Sequence, residues 1–103
     1  MNRLPKSEVY EQEFKFLPWG CLINKILTII EKEIPKNGSV LDLMCGPGYL
    51  LGELAKQRSD LTLEGVDMGE EFIRYAQCKY PSISFQVADV LSWKNKKEYD
   101  LVV

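Results

Sequence analysis

The chain has 103 residues, 46% hydrophobic and 27% charged, with a formal net charge of -2. That suffices for one globular domain but not two, and the balance is neither that of a disordered chain nor that of a membrane span. The absence of histidine excludes Ser-His-Asp and Cys-His catalysis within the chain and most zinc chemistry, and no metal site is expected.

The first 13 residues are polar and charged, with no apolar signal-peptide core. Ser7 is placed to cap a short helix that carries Glu8 and Glu11, and Pro18 is expected to break it. Leu22, Ile23, Ile26, Leu27, Ile29, Ile30 and Ile34 then recur at helical spacing. Asn24, Lys25, Glu31 and Lys32 take the other side, which predicts an amphipathic helix from about Cys21 to Glu33. Pro35-Lys36-Asn37-Gly38 ends it in a turn.

Ser39 to Met44 is a nearly continuous apolar run, as in a strand buried on both faces. Cys45-Gly46-Pro47-Gly48 reads as a loop, and Tyr49 to Gln57 as a helix with Leu50, Leu51, Leu54 and Ala55 inward. The pattern then repeats. Leu61 to Val66 is a strand, Gly69 to Lys79 a helix with Phe72, Ile73 and Ala76 inward, and Ile83 to Val87 a third strand. A fourth is expected to start at Glu98. Strands alternating with helices imply βαβ units, a parallel sheet and right-handed crossovers. The expected architecture is α/β: an N-terminal helical segment, residues 1–38, packs on a sheet built from residues 39–103 as one domain. Because Leu101-Val102-Val103 lies inside a strand whose edge needs a partner, a truncated sheet and self-association through the last strand are expected.

Cys21, Cys45 and Cys78 are odd in number, far apart and without CxxC pairing, which fits reduced thiols and a cytoplasmic location. Lys94, Lys96 and Lys97 form the densest basic cluster. It reads as a solvated loop, since a nucleic-acid footprint is broader, and nothing else signals nucleic acid or an anionic membrane.

Three strand ends carry polar groups suited to a ligand. In doubly wound sheets ligands bind beyond the carboxyl ends of the strands. Gly46 and Gly48 follow the first strand and precede a helix, where glycine permits close backbone approach and the helix N-terminus attracts a carboxylate or phosphate; a tight turn without a ligand would read the same way. Asp67 follows the second strand, about 20 residues beyond the glycine loop, the spacing for an acid that accepts from ribose hydroxyls; it could equally cap the next helix. Ala88-Asp89-Val90 follows the third strand. A carboxylate and a backbone N–H there suit adenine, or an ordinary turn.

Together these segments resemble the class I S-adenosylmethionine-dependent methyltransferases. Val40-Leu41-Asp42-Leu43-Met44-Cys45-Gly46-Pro47-Gly48 looks like their first motif, Val66-Asp67-Met68-Gly69 with Ala76 like the second, and Phe85-Gln86-Val87-Ala88-Asp89-Val90 like the third. Tyr99 to Val103 looks like the start of their fourth strand. The resemblance implies a Rossmann-like, doubly wound, mostly parallel sheet truncated after the fourth strand, with S-adenosylmethionine as cofactor and an unidentified methyl acceptor. It implies that Asp42 supports the loop and helps hold the methionine amino group. Cys45, Gly46 and Gly48 would line methionine and ribose with backbone, and Asp67 would bind the ribose hydroxyls. Met68 would pack on adenine, Asp89 would accept from its amine, and Val90 would offer a backbone N–H. Tyr10 would close over the methionine end. No catalytic residue is nominated.

Met44 stands where the family commonly has glycine, which suggests a more crowded strand end. Two other readings stay open. One is a module that binds S-adenosylmethionine or its demethylated product without turnover. The other is a nicotinamide-dinucleotide domain, whose third fingerprint glycine would fall on Leu51, one residue before Gly52.

Overall fold

The computed structural model describes residues 6–15, 19–94 and 97–103. The elements run α1 (Ser7–Lys15), α2 (Trp19–Glu33), β1 (Ser39–Leu43), α3 (Tyr49–Gln57), β2 (Thr62–Asp67), α4 (Glu70–Lys79), β3 (Ser84–Val87) and β4 (Leu101–Val102). Pro18 and Lys96, both singled out from the sequence, lie outside the described residues, as does the side chain of Tyr10.

The four strands form one parallel sheet in the order β3-β2-β1-β4. β1 is central and is buried on both faces, with Val40, Leu41 and Asp42 all buried. In the β1–β2 register Asp42 faces Gly65 and Leu43 faces Val66. This brings the last residues of β1 and β2 to one sheet edge.

One face of the sheet is covered by helices. Ile23, Leu27, Ile30 and Ile34 of α2 and the turn after it bury against Val40, Leu63, Leu51 and Leu54, and Ile73 and Ala76 of α4 join the same core. The spacing of the α2 residues, by four and three, makes one narrow stripe. Leu22 and Ile29, expected inward, instead point to solvent at 48% and 60% exposure. Seven apolar residues span a wider arc than one packing surface can cover.

Arg58 fixes the C-terminal end of α2. Its Nη1 donates to the carbonyls of Glu31 (2.9 Å) and Ile34 (3.0 Å), and its Nη2 to that of Pro35 (3.1 Å). Asp60 grips the same guanidinium at 2.8 and 2.7 Å and accepts the Asn37 N–H at 2.7 Å. Two otherwise open carbonyls, those of Glu31 and Ile34, are thereby satisfied, and that of Pro35, which also accepts the Gly38 N–H at 3.0 Å, gains a second donor.

Residues 97–99 lie on the opposite face. There Lys97 donates to Glu64 of β2 at 2.8 Å, and the Tyr99 hydroxyl donates to the same carboxylate. This anchoring explains why β4 begins at Leu101 rather than at Glu98. Residues 97–99 are drawn over the sheet, and Asp100 makes the entry by accepting the Ser39 N–H at 2.8 Å. No helix among the described residues is long and apolar enough to cross a membrane.

Candidate functional site

The segment from Met44 to Gly48 turns sharply between β1 and α3. Met44, Gly46 and Gly48 all take left-handed backbone, with φ of 60°, 57° and 87°. This conformation strains any residue with a Cβ, which is the physical meaning of Met44 at a position where glycine is expected. The expected crowding does not arise, since its side chain is 74% exposed. At Gly48 a Cβ would also come within 2.9 Å of the Phe85 ring, so the loop sits directly on the buried side of β3.

Asp67 ties the loop to the end of β2. Its Oδ1 accepts the Gly46 N–H at 3.2 Å and its Oδ2 accepts the Gly69 N–H at 2.8 Å. Gly69 is the residue that caps α4, so Asp67 supports the helix start one step removed rather than as the cap itself. Cys45 donates its N–H to the Val66 carbonyl at 3.0 Å, and Ala88 donates to that of Asp67 at 3.0 Å. These backbone bonds stitch the ends of β1, β2 and β3 together, and Asp42, Cys45, Gly46, Gly48 and Asp67 gather at one place.

Asp42 is the unusual member. It is 7% exposed, and its carboxyl accepts no hydrogen bond from the described residues. Burial, and then the charge of Asp67, push it up to about 7 from the usual 3.8. The buried Cys45 thiol is likewise pushed up, by burial first and then by Asp42 and Asp67, which leaves it a neutral packing group rather than a nucleophile.

Further along the same edge, Met68 is 70% exposed after β2, and Leu91 is 96% exposed after β3. Asp89 accepts the Leu91 N–H on Oδ1 at 3.0 Å, and its carbonyl accepts from Ser92 and Trp93. It thus builds the turn that carries Val90 and keeps its carboxylate on the surface. Leu91 was not singled out from the sequence; its only signal was an apolar side chain directly after the Asp89 turn.

The described residues also include a polar cluster that sequence pattern does not reveal. Glu11 of α1 is 4% exposed and accepts from Lys79 (2.7 and 2.8 Å), Tyr75 (2.6 Å) and Tyr80 (3.0 Å), all on α4 or its cap. It clasps the N-terminal helix onto the sheet domain.

The family described as "Methyltransferase domain" matches residues 40–103, from β1 through β4. The chain belongs to this family. Among curated relatives, a carboxy-S-adenosyl-L-methionine synthase of Campylobacter fetus is 32% identical over 82 residues, 75% of this chain and 35% of that protein. A protein-lysine N-methyltransferase of Saccharomyces cerevisiae is 38% identical over 78 residues, 68% of this chain and 34% of that one. The solved structure of a TehB-like SAM-dependent methyltransferase from Corynebacterium glutamicum is 26% identical with a TM-score of 0.70, covering 93% of this chain and 52% of that one. The chain spans about a third or less of the curated relatives it matches. The family's Rossmann-like fold agrees with the parallel β3-β2-β1-β4 order seen here.

Proposed function

We propose that this chain binds S-adenosylmethionine at the carboxyl edge of the sheet and forms the cofactor-binding part of an enzyme that transfers its methyl group to an acceptor. The observation that carries this is Asp42, a buried carboxyl without a hydrogen-bond partner among the described residues, beside a glycine loop. No fully buried side-chain oxygen among the described residues lacks a partner, so the Asp42 carboxyl, 7% exposed, still touches solvent and can exchange that water for a ligand's donor. A ligand ammonium group is such a donor, so the residues present fit the amino-acid end of the cofactor.

When bound, S-adenosylmethionine supplies a sulfonium methyl open to attack by a nucleophile. The chain's own residues hold and orient. Asp42 receives the ammonium, and the backbone of Cys45, Gly46 and Gly48 lines the methionine and ribose. Asp67 accepts from the ribose hydroxyls with lone pairs left over from Gly46 and Gly69. Met68 offers an apolar surface to adenine, Asp89 retains Oδ2 for its amine, and Val90 offers its N–H. The acceptor's chemical class stays open, as does a role in binding without turnover. The free cysteines support a cytoplasmic location. β4 is an edge strand, and a second copy adding there would show as concentration-dependent mass in light scattering; a constant monomer mass would refute it.

Calorimetric titration tests the cofactor assignment. S-adenosylmethionine binds the intact chain, and Asp67→Ala weakens it by about 1–3 kcal/mol, the cost of losing a hydrogen-bonding carboxylate. Equal affinities would remove Asp67 from the ribose site. Binding without methylation of any offered nucleophile would favour the non-catalytic reading.

A further inference from the structure

We propose that ligand binding at this loop is coupled to loss of a proton from Asp42: the free chain keeps the carboxyl neutral, and the ligand's ammonium group takes the proton's place. This rests on the cofactor reading above and adds a linkage that the reading does not require.

The surroundings of Asp42 disfavour a charge there. It lies near the end of the central strand, opposite Gly65, a residue that brings no side chain toward it. From β2 the charge that reaches it is that of Asp67, which disfavours a second anion. From the loop it meets the Cys45 thiol, which burial keeps neutral. Two cations on neighbouring elements are committed elsewhere. Lys56 of α3 is bound to Glu53 at 3.0 Å, and Lys79 of α4 to Glu11 of α1. On β4's approach, Asp100 is tied to Ser39. The chain contains no histidine. A carboxylate at Asp42 would thus be largely buried and beside another anion, with no donor from the described residues to offset either; protonation removes the charge that both oppose.

The balance is simple. The Asp42 carboxyl gives its proton to solvent, the ligand arrives with a positively charged α-ammonium group, and a carboxylate–ammonium pair remains. The charge within the site is unchanged and one proton appears in the buffer. An α-amino group titrates near 8, so it is charged throughout the acid-to-neutral range, where burial holds Asp42 protonated up to about 7. Both oxygens of Asp67, by contrast, already accept backbone N–H groups.

The test is isothermal titration of the chain between pH 5.5 and 8, in buffer pairs of different ionisation enthalpy. Two probes are used: S-adenosylhomocysteine, which keeps the amino-acid tail, and 5′-methylthioadenosine, which has the nucleoside and thioether but no amino acid. The expected result is that S-adenosylhomocysteine affinity rises with pH, approaching about tenfold per pH unit on the acid side, with close to one proton released there and fewer above neutrality. Methylthioadenosine affinity stays flat. Asp42→Asn, with its fold checked by circular dichroism, binds S-adenosylhomocysteine without the slope. Wild-type binding with no proton release at pH 6 would overturn the proposal, as would a slope that persists in Asp42→Asn or is shared by methylthioadenosine. Methylthioadenosine binding with a flat S-adenosylhomocysteine profile overturns the linkage but leaves the cofactor reading standing. Failure of both probes to bind at any pH overturns both.

Discussion

Gly52 lies directly beneath the ring of Tyr80: a Cβ at this position would stand 2.3 Å from Cε1 and 2.4 Å from Cζ. Gly52 is thus a packing glycine, one position away from where a dinucleotide fingerprint would put it. Its contact is the residue that ends α4, and the hydroxyl of that same ring donates to Glu11. One tyrosine therefore joins α3, α4 and α1.

The first prediction follows from that contact. In an open helix, alanine would be favoured over glycine by up to about 1 kcal/mol. Here Gly52→Ala should destabilise by about 1–3 kcal/mol, because the ring cannot retreat without losing its bond to Glu11. Urea unfolding measures it. In a Tyr80→Ala background the same change should be neutral or stabilising. An equal penalty in both backgrounds would show that the ring is not the obstacle.

The Glu11 clasp gives a prediction with a pH signature. Burial raises the Glu11 pKa, but the bonds from Lys79, Tyr75 and Tyr80 outweigh it and hold the carboxyl below its usual 4.5. A folded-state value below the unfolded one means that the stabilisation is present above about pH 4.5 and is lost as pH falls through the folded value. Glu11→Gln should therefore cost about 1.5–3 kcal/mol at pH 7, the range for hydrogen bonds to charged groups. The gap from wild type should narrow below pH 4. Paired denaturation curves at pH 7 and 3.5 would decide it, and a constant gap would point to shape rather than charge.

The elements were legible because each rests on local pattern. α3 spans Tyr49–Gln57 as its periodicity and flanking glycines dictate, and Phe72, Ile73 and Ala76 of α4 are buried as spaced. What pattern could not supply was which of several apolar residues wins the packing surface, hence the outward turn of Leu22 and Ile29. Nor could it reveal contacts across the chain. Glu11 finds partners 64 to 69 residues away, and Glu64 meets Lys97 and Tyr99 across the sheet face. At the site, the loop and Asp67 were visible as motif residues. The burial of Asp42 without a hydrogen-bond donor was not, because it depends on where the nearby cations are spent.

That isolation of Asp42 yields the last prediction, for stability rather than binding. Its folded-state pKa of about 7 lies above the ordinary 3.8, through burial first and Asp67 second. The folded state therefore binds the proton more tightly than the unfolded state. Its contribution to stability is complete below about pH 3.8 and is lost as pH rises through 7. At about 1.4 kcal/mol per pH unit between those values, the loss is about 4 kcal/mol, an upper bound because local relaxation will reduce it. Asp42→Asn keeps the shape and removes the ionisation. It should raise the unfolding midpoint at pH 8 by an amount that shrinks steadily toward pH 4, where both chains are neutral at this site. Glu11 acts in the opposite sense, since its stabilisation fails only in acid, so wild-type stability should peak between about pH 3.8 and 4.5 with respect to these two groups and fall toward pH 7. A variant that is less stable than wild type at pH 8, by as much as at pH 5, would mean that the Asp42 carboxylate is held by a favourable contact rather than tolerated in an unfavourable place.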